Sequence, residues 1–552
     1  MKKRSDYLIC AVVLIALLST FFRLFFGVDF TDESQYLAQA LGPLIGGKAF
    51  VTDRLFQQSG SLWATPFFWL YLKIVGSTTG IALFFRFIYF GFSLTTGFAL
   101  FRALRKNLEF GNALALSVLP VLYIPFSMPA VSYNTMAVLM TVLSLSLLRL
   151  LKTKRSFGMA CLLSITIAMA IYSYPITGFG FVILFLLEWK NKDLRLWMGR
   201  VFVGTTIALL VFAIPIFAIG LEEIQKNFEV ARSISLLNLQ NKIDVSKAYL
   251  GILAPHWLVL VSAGLTAIFS AWKRKSFEYA LLPFLVIYYV IAGPKLALDS
   301  SFGFLIYACA FIFAAYLVKR IWRGEKLVFS NEVLVGCAMA TIMAVTSTNG
   351  VLNAALGFSI ALIFILESAT IQQRRLPWIA WLSVVLIYCF APWAFFYRDG
   401  RLPELTQQVS SGPFYGIYTN VAKAAYVKEV EEDFKSLPST AQSIFVYDSF
   451  AAGYLFTTLR PMTFMYYMHP TYVSPGLRAE LNAVFATEKA KPDIVFETFA
   501  IPTDSKNWIF LKDPQKNVYE DSFWNFFKNS PQYRPFIQKP LYTIYVRADL
   551  IR

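Results

Sequence analysis

The chain has 552 residues, of which 57% are hydrophobic and 15% charged, and its formal net charge is +17. A soluble domain is closer to half apolar and a quarter charged, so this composition indicates a polytopic membrane protein. It excludes a secreted disulfide scaffold, a coiled coil and a disordered regulator, and it argues against nucleic acid as a partner. The five cysteines lie in apolar runs and only two histidines exist, so neither a cysteine nor a multi-histidine metal site is expected.

Apolar runs of about 17–25 residues, the length that crosses a bilayer, predict about thirteen spans. Basic residues mark every second junction, beginning with Lys2-Lys3-Arg4, and cytoplasmic loops are enriched in Lys and Arg. This alternation predicts a cytoplasmic N-terminus and an external C-terminus. The predicted spans are 6–26, 79–101, 111–128, 131–150, 157–173, 175–188, 200–219, 251–271, 277–293, 302–318, 332–348, 350–367 and 378–396.

The spans divide the chain into a transmembrane domain, residues 1–396, and a C-terminal region. The long external loop 27–78 belongs to the first domain. In this loop, residues 34–44 have helical spacing, and 62–75 are apolar but short for a span, as expected of a helix on the membrane surface. A further external segment at about 220–250 is amphipathic.

The C-terminal region, residues 397–552, has balanced charge and strand-like alternation, which predict an external α/β domain with its own core. Asp448 ends the first predicted strand, where it serves as a turn cap or, less often, contacts a ligand. The predicted elements are strands at 443–448 and 492–496, a helix at 475–489 and a hairpin at 535–547.

Three acidic residues follow the first predicted span. Helical spacing would place Asp29 on the same side as Asp32 and Glu33. Desolvated acids are costly near a bilayer, so such a cluster calls for an explanation. The carboxylates would act as a base or hold a cation, or else Asp32 and Glu33 would only stabilise the first turn of the helix that follows.

This arrangement resembles the GT-C glycosyltransferases, in particular the bacterial relatives of protein O-mannosyltransferases and aminoarabinose transferases. The sharp part of the resemblance is about 60 residues long, and a looser match covers most of the chain. The matching residues are Asp32-Glu33, Tyr36, Gln57-Gln58-Ser59-Gly60, Thr65-Pro66-Phe67-Phe68, Arg86, Ser132-Tyr133-Asn134-Thr135, and in the tail Phe445–Asp448, Leu459-Arg460-Pro461, Val473–Pro475 and Lys491–Ile494.

The resemblance implies a GT-C-like fold and transfer of a sugar from a polyprenyl-phosphate carrier to an acceptor at the outer face of the membrane. It gives Asp32 the role of general base, with Glu33 or Asp29 assisting by orientation. A divalent cation is left open as a cofactor, with Asp32 and Glu33 as its ligands. The partners would be the lipid-linked donor, the lipid bilayer, and a glycan, lipid or protein acceptor.

The leaving phosphate needs positive charge, because negative charge builds on its oxygens as the bond breaks. Lys48, Arg54, Arg232 and Lys295 are the external candidates, with Arg54 favoured because it lies near the acidic loop; each is alternatively an anchor to lipid headgroups. Further substrate-binding candidates are Tyr36, Gln57, Gln58, Arg86, Tyr133 and Asn134. Of these, Arg86 would face the cavity or pair with an acid, and Tyr133 and Asn134 would bind sugar hydroxyls or cap their helix.

The resemblance places the protein in the bacterial cytoplasmic membrane. One alternative is a transporter or flippase of lipid-linked glycans, which would also have many spans but would carry its charged residues nearer the bilayer midplane. An O-antigen ligase or polymerase is a third hypothesis, which the early Asp-Glu loop and the large tail disfavour.

Overall fold

The structure is a computed structural model of the whole chain. It describes residues 2–233, 330–347, 350–373, 376–394, 396–447, 450–467, 482–487, 491–498, 526–528 and 530–551, together with positions 243, 247 and 479. The predicted spans 251–271, 277–293 and 302–318 lie outside the described residues, as does most of the helix predicted at 475–489.

Helices dominate the part of the chain before residue 395. Numbered within the described residues, they are α1 (Lys2–Arg23), α2 (Asp32–Leu41), α3 (Gln58–Ser61), α4 (Thr65–Val75), α5 (Ile81–Leu104), α6 (Phe110–Ser117), α7 (Leu119–Leu122), α8 (Tyr133–Thr153), α9 (Phe157–Ser173), α10 (Thr177–Trp189), α11 (Lys192–Phe217), α12 (Leu221–Ser233), α13 (Asn331–Thr346), α14 (Ala354–Gln373) and α15 (Trp378–Ala394).

Five described helices, α1, α5, α8, α11 and α14, are long and apolar enough to cross a membrane. Five shorter apolar stretches, formed by α6 with α7, α9, α10, α13 and α15, match the remaining predicted spans that fall on described residues. The helix α8 lies at the centre of the bundle, whereas α11 exposes large apolar side chains such as Phe202 and Leu210. The molecule is therefore built as a multi-pass membrane protein, and the total of about thirteen spans stays a prediction.

Charged residues at one end of the bundle are paired inside it. Arg149, near the end of α8, contacts Glu332 at 2.7 Å and Glu367 at 2.5 Å, and Lys152 contacts Glu188 at 2.6 Å. Buried charges need such partners, because an isolated charge out of water is unstable. This network joins helix ends rather than helix centres.

The tail contains one more helix and a small mixed sheet. Strands are β1 (Gln407–Gln408), β2 (Tyr418–Thr419), β3 (Ser443–Tyr447), β4 (Arg460–Pro461), β5 (Ile494–Thr498), β6 (Tyr533–Gln538) and β7 (Tyr542–Arg547), and the helix α16 spans Val421–Lys435. The order in the main sheet is β4-β3-β5-β7-β6, with β3 parallel to β4 and β5 and with β7 antiparallel to β5 and β6. The predicted strands at 443–448 and 492–496 and the hairpin are confirmed within a few residues, whereas α16 was not predicted.

The tail packs directly on the loop formed by residues 27–78. Gly27 N–H donates to the Tyr418 carbonyl at 2.8 Å, and Tyr418 N–H donates to the Phe25 carbonyl at 2.7 Å, which forms a short parallel bridge. Ala452 N–H donates to the Phe30 carbonyl at 3.0 Å. One hydrophobic core continues from α1 into the tail sheet. The residues that follow the first span are thus fixed from both sides.

Candidate active site

Asp29 holds the start of α2. Its Oδ1 accepts hydrogen bonds from the Thr31 amide at 3.0 Å and the Thr31 hydroxyl at 2.6 Å, and its Oδ2 accepts from the Glu33 amide at 2.7 Å. The first amides of a helix have no partner within the helix, so a carboxylate placed there satisfies them. Capping of α2, which the sequence assigned to Asp32 and Glu33 as one alternative, is performed by Asp29.

Asp32 begins α2 and contacts residues that lie far away in sequence. The Tyr397 hydroxyl donates to Asp32 Oδ2 at 2.6 Å, and Nη1 of Arg398 lies 3.1 Å from the same oxygen. The Asp32 side chain keeps 16% of its surface exposed. Within the described residues Oδ1 accepts no hydrogen bond, so one carboxylate oxygen remains open to a ligand.

Arg398 also contacts the tail and the loop. Its Nη1 donates to the Tyr467 hydroxyl at 2.8 Å and to the Thr31 hydroxyl. The guanidinium carbon lies 5.1 Å from the ring centre of Tyr397 and 5.5 Å from that of Tyr467, distances at which a cation is attracted to an aromatic face. Asp32 therefore lies beside a cation that is held by two tyrosines.

Burial and charge act in opposite directions on these groups. Burial raises the pKa of Asp29 to about 6, although Arg398 and the hydrogen bond from Thr31 draw it down. Burial is the largest single influence on Arg398 and lowers its pKa, but the combined interactions with Asp32, the two neighbouring tyrosines and Asp29 outweigh it and leave that pKa above its ordinary value. Burial and the neighbouring Asp32 raise the pKa of Tyr397 well above its ordinary value. Arg398 is thus charged at neutral pH, and Tyr397 keeps the proton that it donates.

Glu33 points away from this site and pairs with Arg86. Nε and Nη2 of Arg86 each contact one Glu33 oxygen at 2.6 Å, and both side chains are 2% exposed. The guanidinium also donates to the carbonyls of Leu24 and Gly27 at 2.7 and 2.6 Å. The pairing of Arg86 with an acid, one of the two alternatives from the sequence, is the one present. Both residues hold the turn between α1 and α2.

Arg54 and its neighbours form a second buried group. Nη2 of Arg54 contacts Glu223 of α12 at 3.0 Å, and the guanidinium lies 4.2 Å from the ring centre of Phe464. Gln58 accepts from the Phe50 amide at 2.9 Å and donates to the Leu55 carbonyl at 3.0 Å, so it stabilises the local loop. The other two candidates from this loop, Gln57 and Lys48, are half-buried and exposed respectively.

Tyr36, Tyr133 and Asn134 lie where α2 meets α8. The rings of Tyr36 and Tyr133 are 6.2 Å apart in an edge-to-face arrangement. Ser132 and Thr135 cap α8 through reciprocal hydrogen bonds of 3.3 and 2.9 Å, so neither Tyr133 nor Asn134 is needed as a cap. Among the described residues, the buried Oδ1 of Asn134 has no hydrogen-bond partner.

The segment that contains Gln57 and Gln58 reaches α8 because of one glycine. A Cβ at Gly60 would lie 2.3 Å from the backbone nitrogen of Tyr133, closer than atoms can approach. Gly60 therefore brings α3 against the start of α8. Lys295, Asp448 and the side chain of Arg232 lie outside the described residues.

The donor set does not fit a divalent cation. Both carboxylate oxygens of Asp29 accept hydrogen bonds from backbone amides or a hydroxyl, and both oxygens of Glu33 accept hydrogen bonds from Arg86. Only Asp32 remains, with Arg398 already beside it. In the described part of the chain no group of three or more His, Cys, Asp or Glu side chains is arranged to hold a metal ion.

The sequence did not single out Tyr397, Arg398 or Tyr467. Each lies more than 360 positions from Asp32, so no local spacing reveals the contact. One signal was available: Tyr397 and Arg398 directly follow the last predicted span, which ends on the same predicted side of the membrane as the acidic loop.

Neither protein-family models nor the sequences of curated proteins match this chain. Among solved structures, one that is similar to it is the archaeal oligosaccharyltransferase AglB from Archaeoglobus fulgidus, in complex with an inhibitory peptide and a dolichol-phosphate. The TM-score is 0.40 and the identity 9%, over 89% of this chain and 69% of that chain. A likeness of this size assigns no activity, so the proposal below rests on the residues of the site.

Proposed function

We propose that the protein is an inverting glycosyltransferase that moves a sugar from a polyprenyl-phosphate donor to an envelope acceptor at the outer face of the bacterial cytoplasmic membrane. The observation that carries this proposal is the half-open Asp32 carboxylate, held through one oxygen by Tyr397 and Arg398. A base needs both a fixed position and an open oxygen, and Asp32 alone among the three acids has both.

In the proposed step, the acceptor hydroxyl oxygen attacks the anomeric carbon of the sugar and forms the new glycosidic bond. The bond between that carbon and the phosphate oxygen breaks, so the polyprenyl phosphate leaves with the electron pair. Asp32 takes the proton of the acceptor hydroxyl. Configuration at the anomeric carbon inverts, because attack and departure occur on opposite faces.

The other site residues take supporting roles. Asp29 and Glu33 fix the first turn of α2 and so hold Asp32, through the helix cap and through Arg86. Tyr36, Tyr133 and Asn134 would contact the sugar, because aromatic faces and amides suit uncharged hydroxylated rings. Lys48, Arg54 and Lys295, with Gln57 and Gln58, are the candidates for the donor phosphate and its surroundings.

The critical variant is Asp32→Asn, because the amide keeps the size of the side chain but cannot take a proton. We expect transfer to fall by about 10²–10⁴-fold, the usual contribution of a positioned base. The assay uses purified full-length protein, synthetic undecaprenyl-phosphate monosaccharides carrying a hexose, a pentose or a 4-amino sugar, and envelope from a deletion strain as acceptor. Asp193→Asn, at an exposed carboxylate on α11, is the matched control.

Wild-type turnover by Asp32→Asn would refute the assignment of the base. Mass spectrometry of envelope glycans and lipids from the deletion strain separates the enzyme from a transporter. Loss of one sugar from a mature product supports the transferase, whereas accumulation of an intact lipid-linked glycan indicates a flippase.

A further inference from the structure

We infer that Arg398 is a second catalytic residue of this site and supplies, beside Asp32, the positive charge that a divalent cation would otherwise provide. The inference rests on the proposed function. It assigns stabilisation of the leaving phosphate to a residue of the tail rather than to Arg54 or Arg86. It also predicts that transfer does not require added metal.

The first support is the position of the guanidinium. Nη1 lies 3.1 Å from Asp32 Oδ2, so any group that reaches the open oxygen of Asp32 also comes close to Arg398. The two side chains have the same exposure, 16% each, unlike Arg54 and Arg86, which are 1% and 2% exposed. A ligand can therefore reach Arg398 and Asp32 together, whereas Arg86 is enclosed with Glu33 and a ligand reaches Arg54 only where its half-buried partner Glu223 moves away.

The second support is the backbone at Arg398. Its φ is +54°, in the left-handed region that costs a residue with a side chain roughly 1–2 kcal/mol. Strained residues of this kind persist only where their surroundings hold them, and they cluster at functional sites. The unusual backbone directs the Arg398 side chain between Asp32 and Tyr467.

A buried clamp of Lys423 and Asp399 holds that backbone. Lys423 Nζ donates to the Arg398 carbonyl and, at 2.7 Å, to the Val28 carbonyl, and it lies 3.6 Å from Asp399. Asp399 accepts from the Val28 amide at 2.5 Å and from the Thr419 hydroxyl at 2.6 Å. The clamp ties the residue before Asp29 to the residue that carries the guanidinium, so both halves of the site share one support.

The third support is the chemistry of the leaving group. A phosphodiester that becomes a phosphomonoester gains negative charge, and a guanidinium can stabilise it through two hydrogen bonds. A divalent cation at the same place would need several oxygen ligands and would be repelled by Arg398. Only one of the three carboxylates is open to it.

The main experiment compares Arg398→Ala, Arg398→Lys and Arg401→Ala in the transfer assay with the synthetic donors. Arg401 is an exposed arginine three residues away, so it is the matched control. We expect Arg398→Ala to lower kcat about 10²–10³-fold, as removal of a donor to a developing oxyanion does, and Arg398→Lys to lose less. Guanidinium chloride in the millimolar range should restore part of the activity of Arg398→Ala, and Mg²⁺ or Mn²⁺ should not.

A role in folding alone gives a different pattern. In Arg398→Ala kcat should fall by a larger factor than the donor KM rises, because the guanidinium acts on charge that develops only in the transition state. A purely structural role would reduce the amount of folded protein and leave kcat per folded molecule unchanged. Wild-type kcat in Arg398→Ala, or a loss of kcat that guanidinium does not restore, would overturn the inference.

Metal binding is tested separately from activity. Wild-type protein should retain its rate in EDTA and should show no saturable Mn²⁺ binding that depends on Asp32. Stoichiometric Mn²⁺ binding that disappears in Asp32→Asn would overturn the inference even if the protein transfers no sugar. Conversely, an EDTA-sensitive wild-type enzyme inactivated by Asp32→Asn would keep the proposed function and remove only the role of Arg398.

Discussion

Two acid–arginine pairs lie side by side at the start of α2, and they differ in almost every property. Glu33 and Arg86 meet through two contacts of 2.6 Å and are 2% exposed. Asp32 and Arg398 meet through one carboxylate oxygen at 3.1 Å and are 16% exposed. The neighbouring residues Asp32 and Glu33 therefore have different roles. The Glu33–Arg86 pair is closed, whereas the Asp32–Arg398 pair leaves one carboxylate oxygen accessible.

The difference shows why proximity of charges alone does not identify a catalytic group. In a closed pair both carboxylate oxygens already accept hydrogen bonds from the arginine. Such a pair can hold the backbone in place, but its carboxylate cannot take a proton from a substrate. A half-open pair is less stabilising, because water screens it, yet it can exchange partners. By this criterion Asp32 is the candidate base and Glu33 is part of its support.

The largest expected effect comes from breaking the closed pair. Glu33→Gln or Arg86→Gln leaves one buried charge without its partner, which typically costs 3–5 kcal/mol. We expect either variant to unfold at a much lower temperature in detergent, as measured by intrinsic fluorescence. Asp32→Asn should change stability little. The double variant Glu33→Leu/Arg86→Leu should recover part of the loss, and equal stability of Glu33→Gln and wild type would contradict the comparison.

Asp53 is a buried acid with no paired cation among the described residues, and it gives the next effect. Asp53 is held by Gln39 at 2.8 Å and the Leu55 amide at 2.9 Å, and burial raises its pKa from an ordinary value of 3.8 to about 6. The folded state then binds the proton more tightly than the unfolded state, so stability falls as pH rises from about 4 to 6, by roughly 3 kcal/mol.

Asp53→Asn should remove this contribution and therefore flatten the dependence of stability on pH. Asp29, whose pKa is also raised to about 6, keeps a similar contribution, so we expect the slope between pH 4 and 7 to become shallower without disappearing. This change in slope is tested by measuring unfolding temperatures across that pH range for wild type, Asp53→Asn and the control Asp193→Asn. An unchanged slope in Asp53→Asn would mean that this carboxyl titrates normally.

The Arg54–Glu223 pair is intermediate in exposure between the two pairs above, and changing Arg54 gives the smallest expected effect. It is 1% exposed, but its partner Glu223 is 25% exposed. If Arg54 binds the donor phosphate, Arg54→Ala should raise the donor KM about tenfold, in line with a hydrogen bond to a charged group, and Arg54→Lys should raise it less. Glu223→Gln is the control, because it breaks the pair and keeps the guanidinium. Equal wild-type KM values in all three variants would restrict Arg54 to packing.

Local features of the sequence predicted local features of the fold. The apolar runs predicted α1, α5 and α8, because span length and hydrophobicity are properties of one segment. Alternation predicted β3 and the hairpin of β6 and β7. The helix α16 was not predicted, although Val427, Val430 and Phe434 on its buried face recur at helical spacing.

The site could be predicted only in part. The three acidic residues were visible in the sequence, but the role of each depends on its partner. Asp29 accepts hydrogen bonds from the backbone of its own turn. Glu33 contacts a side chain 53 positions later, and Asp32 contacts one 366 positions later. Contacts at such separations leave no periodicity in the chain. Arg86 was rightly considered for an acid partner, whereas Arg398 had no motif around it.

The clamp at Lys423 also sets an order of assembly. Asp32 is synthesised early, and 391 further residues must be made before Lys423 can bind the carbonyls of Val28 and Arg398. At translation rates of 5–20 residues per second this delay is roughly 20–80 seconds. During that interval the nascent chain holds the Asp32 carboxylate without its guanidinium neighbour, so the proposed site is incomplete while the segments between the loop and the tail are being inserted.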